Sequence, residues 1–380
     1  MAEPKTTRYE SASNLLRPVM PELDTIRGIA ILMVVFYHGL YWGIDLNRFS
    51  LAARAVLNLM WIGRLGVSLF FVLSGFLITG LLLESKPRLH YFSKFYTRRA
   101  LRILPAYLVT IAVLVIFSLA PWKFVFLSLA YMSNLTPLFS IPIAYPVLWS
   151  LAVEEHFYFF WPIVVRTLQP RALLNCCLGI IIISPIIRAL SFHYSLHNGA
   201  SNFVCNEYTW NSIDGLATGA LLAIWLRSAT PTREAVKTTA LLLLLGALAL
   251  EIGGLHWGIL TRQRQFGAAL QVDPWDFFFL AALCLSLLVG TSKWKGLVHI
   301  RSLRFFGEIS YGLYLYHLLA FRGMDYLASR GIVPWIGTQR IGPLLARFVL
   351  AFGLAVGLAY ISRKTFEEYF LSLKKKWAPA

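Results

Sequence analysis

The run LDTIRGIAILMVVFYHGLYW, from Leu23 to Trp42, sets Arg27 and His38 into an apolar stretch long enough to cross a bilayer. At helical rise and twist, the eleven steps between them cover roughly 16 Å and return to within about 20° of one face, shared by Asp24 and Val34. Arg27 then lies near one membrane surface and His38 deep in the opposite half, and an ionisable group at that depth is a candidate for function. In WSLAVEEHFYFFWP, Trp149 to Pro162, Glu154 lies about as far below the outer end of its helix as His38 does below its own. In SYGLYLYHLL, Ser310 to Leu319, His317 reaches nearly the same layer from a helix running outward. A carboxylate at the bilayer centre costs about 2.5–3.5 kcal/mol, so Glu154 must face a polar cavity or a partner. Two histidines and one carboxylate from three helices thus meet at one depth, and a neutral histidine beside a carboxylate suits proton removal from a hydroxyl.

A second constellation is basic. KPRLHYFSKFYTRRALRILP, Lys86 to Pro105, carries Leu89, Phe92 and Tyr96 at helical spacing, which predicts a helix lying along the cytoplasmic surface before the chain enters the membrane. Arg98 and Arg102 share one face of it, with Arg99 adjacent. Three guanidiniums at a membrane mouth grip phosphates bidentately, or else anchor the segment to anionic lipid. Asp214, at the outer mouth of a later span, either joins the polar layer or caps its helix. Ser74 and Gly75 read as a small pair that lets helices approach, as do Gly215 with Gly219 and Gly353 with Gly357.

The elements that must position these groups follow from composition. The chain is 58% hydrophobic and only 14% charged, with mean hydropathy +0.64, which excludes an ordinary soluble domain. Apolar runs near 20 residues predict an all-α integral membrane bundle of about ten spans, near 24–43, 60–83, 101–120, 147–168, 172–192, 211–227, 238–254, 274–290, 307–328 and 342–362. The piece 124–139, broken by Asn134 and Pro137, reads as re-entrant or interfacial. Of the 35 Lys and Arg, 24 fall on alternate segments that become cytoplasmic if both termini are, so the net charge of +17 reports topology and not nucleic-acid binding. Residues 1–22 form a polar cytoplasmic segment with no signal-peptide core, 23–368 the membrane domain, and 369–380 a basic cytoplasmic tail. Cys176, Cys177, Cys205 and Cys284 have no metal spacing, so neither a metal site nor a disulfide framework is expected.

Five stretches in this order resemble the acyltransferase family 3 membrane proteins, bacterial enzymes that O-acylate sugars and glycoconjugates: LDTIRGIAILMVVFYH, FFVLSGFLIT, RRALRILPAY, LWSLAVEEHFYFFWP and ISYGLYLYHLL. The resemblance covers nearly the whole chain. It implies a multi-pass protein of the bacterial plasma (inner) membrane, an acyl-CoA donor, usually acetyl-CoA, bound from the cytoplasm, and a carbohydrate or glycoconjugate acceptor. Carried onto these residues, it makes His38, as general base or transient acyl carrier, and Glu154 the catalytic residues and Arg27, Arg98, Arg99 and Arg102 the donor-binding set. Asp24, Trp149, Ser150, Tyr158, Asp214, Ser310, Tyr311 and His317 are then expected to hold the acceptor or support the site. Some members carry a C-terminal esterase-like domain, a step that nothing in these 380 residues takes. The competing class is a transporter or flippase of a polar lipid or sugar using the same polar layer; it would need alternating access, and no inverted repeat is visible.

Overall fold

The structure is a computed structural model that describes residues 15–197, 207–228, 230–256 and 273–377. The expected 1–22 segment, the connections between the expected spans 172–192 and 211–227 and between 238–254 and 274–290, and Cys205 lie partly or wholly outside the described residues. Every regular element described is helical: α1 (Pro21–Leu40), α2 (Leu51–Leu59), α3 (Gly66–Ser85), α4 (Tyr91–Ile116), α5 (Trp122–Leu129), α6 (Leu148–Thr167), α7 (Pro170–His197), α8 (Thr209–Ser228), α9 (Arg233–His256), α10 (Asp273–Gly290), α11 (Arg301–Glu308), α12 (Ser310–Ser329), α13 (Ile341–Ser362), α14 (Glu368–Ser372) and α15 (Lys374–Trp377). A helix covers each of the ten predicted spans. Among the described residues, six stretches are long and apolar enough to cross a membrane: Pro21–Leu40, Leu51–Ser85, Tyr91–Ile116, Pro170–His193, Arg233–Gly254 and Ile341–Ser372. Helices α6, α8, α10 and α12 fall outside that set, α10 as a shorter apolar helix; α6 and α12 are the ones that carry Glu154, Glu155 and His317.

The outer faces are apolar. Leu242, Leu245, Leu248 and Ile252 of α9 and Leu345, Val349 and Ile361 of α13 are all more than a third exposed, a pattern that only a hydrocarbon surrounding satisfies. Inside, α1 begins with Pro21 at its first turn and Glu22 and Asp24 against its N-terminal dipole. Its outer half packs on α12 and α13, its inner half on α3 and α10, so this one helix borders two of the three apolar clusters of the core.

Backbone contact at glycine draws the helices close. A Cβ on Gly75 would lie 1.9 Å from the Leu216 carbonyl oxygen, and one on Gly219 would lie 1.8 Å from that of Val72, so α3 and α8 cross through reciprocal glycine notches. Gly28 and Gly307 do the same for α1 and α11 against Leu303 and Asp24. The expectation for Gly353 and Gly357 is corrected: nothing lies within 4 Å of a Cβ on either, because they sit on a face of α13 that no described helix covers.

Two further differences concern the basic and interfacial segments. Instead of a separate surface helix, the arginines occupy the first turns of a single 26-residue helix, α4, that continues through Pro105. Residues 124–139 fold as α5 and the 3-10 turn Ser133–Phe139, each too short to cross a bilayer. Their polar residues Ser128, Ser133, Asn134 and Thr136 turn inward, while Phe126, Leu129, Leu138 and Phe139 stay exposed.

Candidate active site

Two cavities flank α1. The inner one encloses about 820 Å³ including its open mouth and is walled by α1, α3, α4, α6 and α12. Arg27, Arg99, Arg102, Ser74, Ser150, Glu154, Glu155, Tyr158, Ser310 and Tyr311 line it. Arg99 and Arg102, three apart on α4, are the pair that faces inward; Arg98 turns instead toward a small groove with Arg88, Leu89 and Lys94, which corrects the expected Arg98–Arg102 face. The Arg99 guanidinium lies 4.9 Å over the Tyr158 ring, within electrostatic reach of Glu154 and Glu155. The Tyr158 hydroxyl bonds Ser74, and both hydroxyls contact the Glu154 carboxylate. Arg27 pairs with Asp24 at 3.0 Å. Tyr311 donates to the Ile103 carbonyl at 2.8 Å, tying α12 to α4.

The mouth of this cavity is more basic than the sequence reading anticipated. After α13 the backbone widens into a π turn, Arg363–Glu367, and α14 and α15 fold back against α4. Arg363 has its Nη1 buried with no hydrogen-bond partner among the described residues. Burial, together with the guanidiniums of Arg102, Arg99, Arg98 and Arg363, pushes the Lys374 ammonium down to about 8. Arg102 makes no hydrogen bond or ion pair to any described residue and faces Arg27 and Arg363. Like charges held together in this way call for an anionic ligand with several oxygens.

The outer cavity, about 1030 Å³, is lined by His38, Trp42, Arg64, Ser68, Trp149, Arg188, Glu207, Asp214, Asp276 and Tyr314, among others. His38 and His317 meet here. His317 Nδ1 faces its own helix at Leu313 O, 3.1 Å away, and therefore carries the proton, which leaves Nε2 as an acceptor. That Nε2 lies 3.3 Å from His38 Nδ1, which also faces Val34 O at 2.9 Å. In the neutral pair the network assigns the His38 proton to Nδ1, shared between the two acceptors, and leaves His38 Nε2 as a free base. The Trp42 and Tyr37 rings pack edge-on at 5.6 and 5.0 Å and hold the imidazole between them.

Glu154 is therefore not the neighbour of His38. Height along a helix says nothing about azimuth: α6 turns Glu154 toward Ser74 and Arg99, whereas His38 on α1 faces α12. Asp214, expected either to join the polar layer or to cap its helix, lines the outer cavity. It lies inside α8, where it forms a buried ion pair with Arg188 at 2.7 Å, while Arg188 also donates to Asn211 O at 2.7 Å. Sequence reasoning passed over Arg188, although a charge inside the predicted span 172–192 was the signal for it. It also missed Arg64, Glu207 and Asp276 in the outer cavity and Arg363 and Lys374 at the inner mouth. These come from loops or span ends, where charge is ordinary.

The two cavities share Val67, Phe71 and Tyr314 as walls. Tyr314 is held by a 2.5 Å bond to Ser150, with its ring 6.0 Å from that of His317. A thin partition of three side chains thus separates a cationic chamber from a histidine-bearing one. Among the described residues no group of three or more His, Cys, Asp or Glu is placed to hold a metal ion, and Cys176, Cys177 and Cys284 are unpaired.

Comparison with known proteins places this arrangement. The chain is 25% identical over 346 residues to the peptidoglycan O-acetyltransferase OatA of Listeria monocytogenes, covering 82% of this chain and 50% of that protein. It is 28% identical over 333 residues to the putative peptidoglycan O-acetyltransferase YrhL of Bacillus subtilis, covering 78% and 48%. It is 27% identical over 348 residues to a putative O-acetyltransferase of Staphylococcus aureus, covering 83% and 53%. The chain thus spans about half the length of the curated relatives it matches. No solved structure matches it. The acyltransferase domain profile Acyl_transf_3 matches residues 20–364, nearly all of the helical bundle that builds both cavities, and the chain belongs to that acyltransferase family.

Proposed function

We propose that this protein is a multi-pass membrane O-acetyltransferase of the bacterial inner membrane, with ten crossings and both termini cytoplasmic. It moves an acetyl group from acetyl-CoA to a hydroxyl of a carbohydrate such as peptidoglycan. The observation that carries this reading is the base-bearing His38–His317 pair in the outer cavity, one partition away from a cationic inner cavity. The relatives' names, O-acetyltransferases and in two cases of peptidoglycan, agree with it.

The donor's phosphates sit at the inner mouth on Arg99, Arg102, Arg363 and Lys374, and the pantetheine arm runs along α1 past Arg27. Its thioester reaches the level of Tyr314 and His38. His38 Nε2 takes the proton of the acceptor hydroxyl as that oxygen attacks the thioester carbonyl. The C–O bond forms, the C–S bond breaks, and the CoA thiolate leaves and recovers the proton from His38. Binding both substrates on opposite sides of one partition replaces a bimolecular encounter with a positioned one.

The test is acetyl transfer from labelled acetyl-CoA by the purified protein in detergent, where no gradient exists for a transporter to use. His38→Ala should lower the rate by roughly 10²–10⁴-fold while CoA still binds. Arg102→Ala should raise the donor KM more than it changes acceptor use. Wild-type rates from a normally expressed His38→Ala protein would remove the base from the mechanism.

A further inference from the structure

The outer cavity holds a carboxyl group that the fold leaves unused. Glu207 is 1% exposed, lines the cavity, and neither of its side-chain oxygens has a hydrogen-bond partner among the described residues. Buried acceptors are ordinarily satisfied, and leaving both oxygens of a carboxyl unmet destabilises the empty protein. The position is nonetheless well held. Asn134, fully buried on the 3-10 turn that follows α5, donates through Nδ2 to the Glu207 carbonyl at 3.3 Å and to Thr209 Oγ1 at 2.9 Å. His156 of α6 bonds the same Thr209 hydroxyl at 2.6 Å. Two separate elements therefore clamp the backbone on which the unpartnered carboxyl stands.

We propose that Glu207 is the acceptor-binding residue of the outer cavity, taking the hydroxyl groups of a carbohydrate that lies between the Trp42 and Trp149 indoles. The proposal rests on the transferase reading above and names the residue that orients its acceptor. Arg188 on the same wall pairs with Asp214 and donates to Asn211 O, and the Tyr314 hydroxyl bonds Ser150. Burial pushes the Glu207 carboxyl up to about 8, so at neutral pH the empty site presents mostly a neutral acid that both donates and accepts. A sugar hydroxyl, itself donor and acceptor, matches such a group; an ammonium, which only donates, does not. The indole faces supply the apolar surface that a pyranose ring needs on its C–H side.

A stability signature separates this role from a structural one. The groups facing Glu207 across the cavity are His38, Arg64, Arg188, Asp214, Asp276 and Tyr314. The unfolded chain ionises Glu207 near 4.5 and the folded chain near 8, so between those values the native state holds the extra proton and its stability falls as pH rises. Glu207→Gln removes that penalty without changing shape.

The experiment uses the full chain in detergent and a neutral probe, the disaccharide of N-acetylglucosamine, with binding followed by tryptophan fluorescence. Wild type should bind it, Glu207→Ala should bind at least tenfold more weakly with its KM for acetyl-CoA unchanged, and Glu207→Gln, whose amide also donates and accepts, should retain most of the binding. The Gln variant should melt higher than wild type at pH 8 and close to wild type at pH 4. Unaltered disaccharide binding by Glu207→Ala, no binding by wild type, or a Gln variant that melts lower at both pH values each overturns the proposal. Release of CoA from acetyl-CoA, measured on the same samples, reports on the transferase reading separately, since disaccharide binding needs no donor.

Discussion

A histidine inside a helical bundle is ambiguous until its second nitrogen is accounted for. Here the accounting runs through His317, whose own proton is committed to Leu313 O, so that its free nitrogen faces His38 and dictates which nitrogen of His38 stays basic. His317→Ala should therefore lower kcat, by less than removal of His38 itself, and move the pH–rate profile while the donor KM stays constant. His317→Gln, whose amide oxygen can accept from His38 Nδ1, should restore part of the loss. Glu154→Gln should leave that profile in place, because Glu154 contacts Ser74, Tyr158 and Arg99 in the other cavity. Steady-state kinetics across pH on the three variants decides between the two partners. That His38 and Glu154 line polar cavities, with His317 buried beside His38, was legible from charge in apolar runs. Which two of them meet was not, because three-residue spacing and depth leave the rotation of one helix against another undetermined.

Helices in a membrane gain nothing from hiding apolar surface from lipid, so close packing and small residues decide which of them touch. The crossing of α3 and α8 depends on Gly75 and Gly219, and a methyl group on either meets a carbonyl oxygen at under 2 Å. Gly219→Ala should destabilise by about 1–3 kcal/mol or more, as overpacking does. Gly357→Ala, with open space around it, should instead raise stability by about 0.5–1 kcal/mol through the better helix propensity of alanine. Thermal unfolding in detergent compares the two. Both pairs look alike as four-residue repeats of glycine, and only the presence of a facing backbone tells them apart. Helix α11, wedged against α1 through Gly307 and Gly28, had no signal of its own: it is a short amphipathic turn merged in the sequence with the span that follows.

The molecule as a whole is a bundle with a cavity on each side of a narrow waist. Arg99 and Arg102, with Glu154 and Glu155 beside them, line one chamber, and His38, Trp42, Trp149, Glu207 and the Arg188–Asp214 pair line the other, a division that suits the proposed transfer between substrates arriving from opposite sides. Val67 belongs to both walls, so enlarging it should close the waist without touching a charge. Val67→Trp should abolish acetyl transfer while CoA binding, measured calorimetrically in the same detergent, persists. Loss of both together would place the donor elsewhere.

Length, hydropathy and the bias of lysine and arginine sufficed to predict an all-helical membrane bundle, to put helices at ten positions along the chain, and to single out the two basic and acidic stretches that line its cavities. Those features are properties of single segments, dictated by the thickness of a hydrocarbon layer and by the cost of placing charge in it. The tertiary structure decided the rest: that Arg99 and not Arg98 faces inward with Arg102, that Glu154 serves the cationic chamber, that the C-terminal segment folds back to bring Lys374 beside the arginines, and that Glu207 is buried without a partner. Each of these depends on how helices turn and lean against one another, and that rotation is set by packing between segments far apart in the chain, which no local spacing records.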